Sequence, residues 1–482
     1  MRARGWGLLI WGLVVTGVAF AQPVLRSDQI RRVEAIFAPW DRTDSPGLGL
    51  AIVWEGRIRY WRGFGMADLE HRVPITDSTR FVLASVSKQF TAFAVHLLAA
   101  EGRLDLDGDV RQYIPELAHL KARITVRHLL HHTSGLRESL DLARLAGWRP
   151  EDVLTMSDVL RLAYGQRELN FEPGTAYAYC NLGYVLLAEL VRRVSGQSLG
   201  VFARKRIFEP LDMRDTFFHE DYRMITPNRA QSYARTQDGW VKVHYPYGTV
   251  GSGGLVSTLR DLAKWDENFY THTVGGAKLL QALQERGRLA DGRELNYASG
   301  LMIGSYRGLV AVWHTGSIAG YRAILFRLPE ARFSVIILAN ASNVNTLALA
   351  HQVADIVLED RFPQPARAEA AEEPSVRPPR TVSRPSREQL RAYEGFYYSP
   401  ELEVFYRIAL VGDSLRLRHP KEEWTLLPLE EDVFQLPVGR VEFLRDPQGR
   451  VLEMRLSTGR TRNLRFLRAE VRYGLSSGSG GA

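Results

Sequence analysis

Between Phe362 and Glu388 the chain reads FPQPARAEAAEEPSVRPPRTVSRPSRE, a run of Pro, Ala, Glu and Arg with too few apolar side chains to bury a core. Such a stretch reads as a linker and divides the 482-residue chain into two folded regions. The length agrees, since a single hydrophobic core stops growing well before this size. The expected organisation is a domain over 24–361, a linker over 362–388, a second domain over 389–470 and a disordered tail over 471–482 that contains GLSSGSGGA.

The two regions are patterned differently. In the first, QIRRVEAIF carries Ile30, Val33 and Ile36-Phe37 at helical spacing, and GLGLAIVWEGRIRYWRGFGMAD reads as two strands turning at Glu55-Gly56. From Phe81 to about Val194 the pattern is mostly helical, broken at Thr133-Ser134-Gly135 and Pro173-Gly174. A further helix, LRDLAKWDENFY, follows GSGGLVST, and three candidate strands close the region: GLVAVWH, YRAILFRLP and FSVIILANAS. Strands at both ends with helices between them predict one sheet closed by both termini, plus a helical subdomain, in an α/β (α+β) arrangement. After the linker, short alternating segments such as VFYRIALVGDSLRLRH and VEFLRDPQGRVLEMRLS turn at Gly412-Asp413 and Pro447-Gln448-Gly449. Many short strands at regular intervals predict an antiparallel barrel or sandwich.

The first residues, MRARGWGLLIWGLVVTGVAFAQPV, place two arginines before an apolar run that ends in Ala19-Phe20-Ala21. This is the pattern of a signal peptide over 1–21, cleaved near Ala21, with a retained anchor as the alternative. Export to the periplasm or medium is therefore expected, near the membrane or cell wall. The only cysteine, Cys180, leaves no intramolecular disulfide to stabilise the fold. The formal charge of +8 is scattered, with no basic run interleaved with aromatics, so it reads as a solvated surface and not as a nucleic-acid footprint.

Chemistry enters at FVLASVSKQFTAF. Ser85 and Lys88 stand at i and i+3, where their side chains can meet on one helix face. If Ser85 opens the helix, its backbone N–H points at any oxyanion formed on a group it attacks, and a desolvated lysine could take the hydroxyl proton. Alone, S-x-x-K is a weak signal. Downstream, FEPGTAYAYCNLGYVLLAEL places Tyr179-Cys180-Asn181 just before an apolar helix, and VAVWHTGSIAGYRAILF places His314-Thr315-Gly316-Ser317 on a strand. S-x-x-K with S-D-N and K-T-G marks the class A β-lactamases and penicillin-binding proteins; here the second element is Y-x-N and the third H-T-G.

From about Ile30 to Leu358 the chain resembles the serine β-lactamase-related family: class C β-lactamases, DD-peptidases, D-aminopeptidases and family VIII esterases. The resemblance is carried by ASVSKQFTA, ITVRHLLHHTSGL, FEPGTAYAYCNLGY, GSGGLVSTLRDLAKW and HTGSIAGY. The C-terminal region resembles the lipocalin-like barrels appended to some of these hydrolases. The resemblance implies a serine β-lactamase/DD-peptidase-like fold and an acyl-enzyme at Ser85, with Lys88 as proton partner and Tyr179 as general acid/base. It implies that Asn181 holds the substrate amide or orients Lys88, that His314 takes the third-motif position with Thr315 and Gly316, and that the Ser85 and Ser317 N–H groups form the oxyanion hole. No cofactor or metal is implied. The substrates would be small molecules or peptides: esters or D-amino-acid amides, with a class C-like β-lactamase or a non-turnover penicillin-binding or peptidoglycan-sensing protein as alternatives.

Histidine in place of the third-motif lysine predicts less electrostatic help for Tyr179, because imidazole is only fractionally charged at neutral pH. Cys180 is expected to be a small buried hydrophobe and Tyr177 a packed aromatic. His128, His131 and His132 read as structural histidines, and Glu168 and Asn170 as loop residues. The barrel could act as a lid over the cleft.

Overall fold

A six-stranded antiparallel sheet organises the first region of the computed structural model, which describes residues 24–363 and 385–469. The expected signal peptide (1–21), most of the linker and the tail (471–482) lie outside these residues. The strands are β1 (Leu48–Trp54), β2 (Arg57–Phe64), β3 (Met302–Tyr306), β4 (Leu309–Ile318), β5 (Tyr321–Leu328) and β6 (Phe333–Ala339), in the order β3-β4-β5-β6-β1-β2. The β1–β2 turn lies at Glu55-Gly56 as expected, both residues at positive φ (51° and 71°), the backbone that a two-residue hairpin needs. Both ends of the region meet where β1 pairs with β6, Ala51 opposite Ile336. The sheet is therefore closed by both ends of the region.

Helices cover both faces. Among them are α1 (Ser27–Phe37), α2 (Lys88–Ala100), α3 (Ser139–Leu145), α4 (Met156–Gly165), α5 (Asn181–Ser195), α6 (Leu259–Thr271) and α7 (Thr346–Val357). Alternation along β1 sets the layers: Leu50, Ile52 and Trp54 join Val33 and Phe37 of α1 and Val353 and Val357 of α7. Ala51 and Val53 face the other way, toward Phe90 and Phe93 of α2 and Trp265 of α6. Both faces of β1 are buried, which is why it reads as a continuous apolar run.

The region after the linker is a closed antiparallel barrel of eight strands. They are β7 (Gly395–Ser399), β8 (Val404–Val411), β9 (Ser414–Arg418), β10 (Glu423–Glu430), β11 (Val433–Leu436), β12 (Gly439–Arg445), β13 (Val451–Ser457) and β14 (Leu464–Ala469). Tyr397, Tyr406, Phe434, Phe443 and Phe466 are buried within it, so this small barrel is filled by its own side chains. It is docked on the first region. The Tyr406 hydroxyl donates to the Leu145 carbonyl at 2.7 Å, and the Arg137 guanidinium pairs with Glu401 at 2.8 Å.

Candidate active site

The turn that carries Ser85 differs from the expected helix start. Ala84–Ser87 form a 3-10 turn, and α2 begins only at Lys88. Ala84 has φ of 48°, a left-handed backbone that a non-glycine residue adopts only when its surroundings impose it. They do so through the Leu255 strand segment: Leu83 N donates to the Leu255 carbonyl at 2.8 Å, and Leu255 N donates to Ser87 Oγ at 3.1 Å. Ser85 and Lys88 still meet. Lys88 Nζ lies 3.0 Å from Ser85 Oγ, 2.7 Å from Asn181 Oδ1 and 2.6 Å from the Ser252 carbonyl.

Lys88 is completely buried. Burial drives its pKa from the usual lysine range down to about 7, opposed by the carboxylate of Glu138. The amine is thus poised to be neutral. Two acceptors, Asn181 and Ser252, hold two of its hydrogens, and the lone pair of the neutral form then falls toward the Ser85 hydroxyl.

Tyr179 faces the same pair: its ring centroid lies 4.9 Å from Lys88 Nζ. Burial pushes the phenol above its ordinary value, so the ring is held as a neutral phenol. His132 supports it from below at 4.3 Å between ring centroids and accepts a hydrogen bond from Cys180 N at 3.1 Å. His132 thus braces the Tyr179-Cys180-Asn181 segment, a role its sequence pattern did not suggest. Cys180 is buried as expected, with its thiol toward the Arg137 carbonyl. Tyr177 packs its ring against His132 and Tyr297, at 6.0 and 5.9 Å between centroids, and leaves its outer side exposed.

Asn181, the first residue of α5, is fixed by a residue that the sequence reading passed over. The buried Glu138 carboxylate accepts from Asn181 N at 2.6 Å and from Asn181 Nδ2 at 2.9 Å. It also caps α3 through Leu140 N, so two helix N-termini converge on one carboxylate. Its only sequence signal is an acidic residue ahead of a short apolar helix.

On β4, alternation buries His314 and Gly316 and exposes Thr315 and Ser317. The His314 Nδ1–H donates to the Thr315 carbonyl at 2.6 Å, leaving Nε2 to accept from the Tyr297 hydroxyl at 3.2 Å. Burial, and then Lys88, depresses its pKa to about 3. The imidazole is therefore neutral at physiological pH, where the sequence reading allowed it partial charge. A Cβ on Gly316 would lie 2.1 Å from the Leu83 carbonyl, so only glycine lets β4 lie against the Ser85 turn.

Ser85, Asn181, Ser252 and Ser317 open onto one cavity, which GSGGLVST helps to line. Leu140, Leu154, Val159, Val185, Tyr245, Tyr247 and Ile318 make it largely apolar. Outside the lining of this cavity, Arg460 of the barrel lies with its guanidinium carbon 5.2 Å from the Tyr179 ring centroid. Sequence reasoning had no candidate residue in the barrel.

A serine, an amine and a phenol converging around one hydroxyl, on this sheet-and-helix frame, define the serine β-lactamase/DD-peptidase-like fold. The beta-lactamase family profile matches residues 33–358, and the chain belongs to that family. Among relatives, a D-aminopeptidase of Gluconobacter oxydans is 27% identical over 314 residues, 65% of this chain and 59% of that protein. A penicillin-binding protein of Bacillus subtilis is 29% identical over 306 residues, 59% of this chain and 66% of its own length. The chain thus matches less than two thirds of either relative. Among solved structures, the octameric penicillin-binding protein homologue from Pyrococcus abyssi aligns with a TM-score of 0.60 at 24% identity, over 91% of this chain and 100% of that one.

Proposed function

We propose that the protein is an exported serine hydrolase that forms an acyl-enzyme at Ser85 and acts on esters or on small amides and peptides containing D-amino acids. The observation that carries this reading is the 3.0 Å approach of Lys88 Nζ to Ser85 Oγ, with the Tyr179 ring centroid 4.9 Å from the same amine. Neutral Lys88 takes the Ser85 proton as Oγ attacks the carbonyl. Tyr179, held as a phenol, passes a proton from this network to the leaving nitrogen or oxygen and does not act as a phenolate base. The Ser85 and Ser317 N–H groups stabilise the oxyanion. The D-aminopeptidase and penicillin-binding relatives support the substrate class, and the N-terminal signal pattern supports export.

Intact-mass spectrometry tests the reading. The wild-type protein and Ser85→Ala are mixed with a phenyl ester, a D-alanyl amide and benzylpenicillin. The expected result is a mass increase matching the acyl group in wild type only, persistent with penicillin and transient with the ester. No adduct from any of the three, or equal adducts in Ser85→Ala, overturns it.

A further inference from the structure

The barrel turn between β13 and β14 is built into the site and not merely near it. Side chains of the first region grip it at three points. Asn170 Nδ2 donates to the Arg460 carbonyl at 2.8 Å while Asn170 Oδ1 accepts from Arg462 N at 2.7 Å. Arg137 donates to the carbonyls of Arg462 at 3.2 Å and Asn463 at 3.4 Å. Asp141 accepts from the Thr458 hydroxyl. Within the turn, Thr458 Oγ1 accepts from Arg460 N at 3.3 Å and Thr461 N at 3.1 Å. A backbone held this firmly presents its side chain in a set direction. The Arg460 side chain is exposed and lies over the face of the Tyr179 ring; among the described residues it forms no ion pair and no side-chain hydrogen bond.

A guanidinium left without a carboxylate beside the proposed proton donor is suited to an anionic group on the substrate. Of the other basic side chains here, Lys88 is buried and donates to Asn181 and Ser252, His314 is neutral, and the half-buried Arg322 opposite Ser317 is spent on the Ala319 and Tyr321 carbonyls. Nor does the site offer an anion for a substrate ammonium. None of the described residues lining the cavity beside Ser85 is charged, and Glu138 is buried and spent on Asn181 and α3. The cavity lining includes neither Tyr179 nor Arg460, which suits the apolar space to the acyl group and the phenol with its guanidinium to the leaving group. The carboxylate of a leaving α-amino acid is only two bonds from the scissile nitrogen that Tyr179 would protonate.

We infer that Arg460 is a specificity-determining residue supplied by the barrel, which binds a free carboxylate on the leaving group, so that the preferred substrate is an N-acylated peptide ending in a free α-carboxylate, not an amide with a free amino group. This rests on the Ser85 hydrolase reading above.

The test measures kcat/KM for N-acetyl-D-alanyl-D-alanine, for its C-terminal amide and for D-alanine amide, with a phenyl ester as the check on Ser85. Wild type, Arg460→Gln and Arg460→Lys are compared. The acid is expected to exceed its amide by at least tenfold in wild type. In Arg460→Gln that ratio falls to near one through a raised KM, and in Arg460→Lys it is partly restored. Four outcomes overturn the inference: ester turnover with no preference for the acid in wild type, a preference for D-alanine amide, a ratio unchanged in Arg460→Gln, or a kcat loss in that variant equal for acid and amide, which would mark a merely ring-supporting role. Failure of the ester itself to acylate Ser85 removes the hydrolase reading, and this inference with it.

Discussion

Lys88 titrates near neutrality because complete burial outweighs the nearby carboxylate, and this gives the chemistry a pH signature. Below about 7 the amine is protonated and cannot take the Ser85 proton. The acylation rate should therefore rise through that pH and level off above it, as stopped-flow release of nitrophenol from an ester would report. His314 is neutral throughout this range, so His314→Gln should leave the rise where it is; a shift of a full pH unit would mean that the imidazole carries charge there. Glu138 acts through Asn181 and through its charge. Glu138→Gln removes a charge that favours protonated Lys88, which moves the rise to lower pH, and loosens Asn181, with a loss of tenfold or more in the acylation rate. A merely structural carboxylate would lower the melting temperature without moving the pH profile. Ser85, Lys88, Tyr179 and Asn181 were legible in the sequence because each sits in a short local pattern. Glu138 and His132 were not, because their part is played across the fold on partners 43 and 48 positions away.

Among the elements, β4 and the Ser85 turn form the tightest junction of the site. Gly316→Ala would drive a methyl group into the Leu83 carbonyl, a backbone atom that cannot swing aside. Overpacking of this kind costs about 1–3 kcal/mol. The expected outcome is a folded protein, melting several degrees lower, whose acylation rate falls at least a hundredfold as Ser317 N–H is pushed from the oxyanion position. A variant that acylates at the wild-type rate would show that β4 does not contribute to that position. The hairpin, α1, α6 and the three closing strands were legible from apolar spacing, since each has a long enough period to read. Strand β3 was not: Met302–Tyr306 is short, contains Gly304 and has only one fully buried residue. The 3-10 turn at Ala84–Ser87 was also hidden, because it is imposed by Leu255, more than 160 residues on, and ASVSKQF itself reads as helix.

For the molecule as a whole, the linker pattern predicts two folded regions but says nothing of how they join. The joint depends on single residues with no local pattern: Arg137, fully buried, pairs with Glu401, which is 4% exposed, and Tyr406 reaches Leu145. Buried apolar side chains run without a break from the helices around α5 into the barrel interior. A shared core of this kind makes the two regions unfold together. Calorimetry of the wild-type protein should therefore give one transition. Glu401→Gln removes the nearer counter-charge of the buried Arg137 guanidinium and leaves it with the half-exposed Glu168 carboxylate at 3.7 Å. The loss at the interface is at most roughly 3–5 kcal/mol, because an under-compensated buried cation costs more than the intact pair contributes. Arg137 also holds the Arg462 and Asn463 carbonyls, so the same substitution slackens the turn that carries Arg460. The variant should melt in two steps, the barrel first, and should lose selectivity between acid and amide substrates. Replacing both partners with apolar residues, Arg137→Met with Glu401→Leu, removes the stranded charge and should restore a single transition. It should not restore the selectivity, because the guanidinium that grips the turn is gone. A double variant that recovers both would mean that the barrel's position alone, and not the grip on its turn, directs Arg460 at the site.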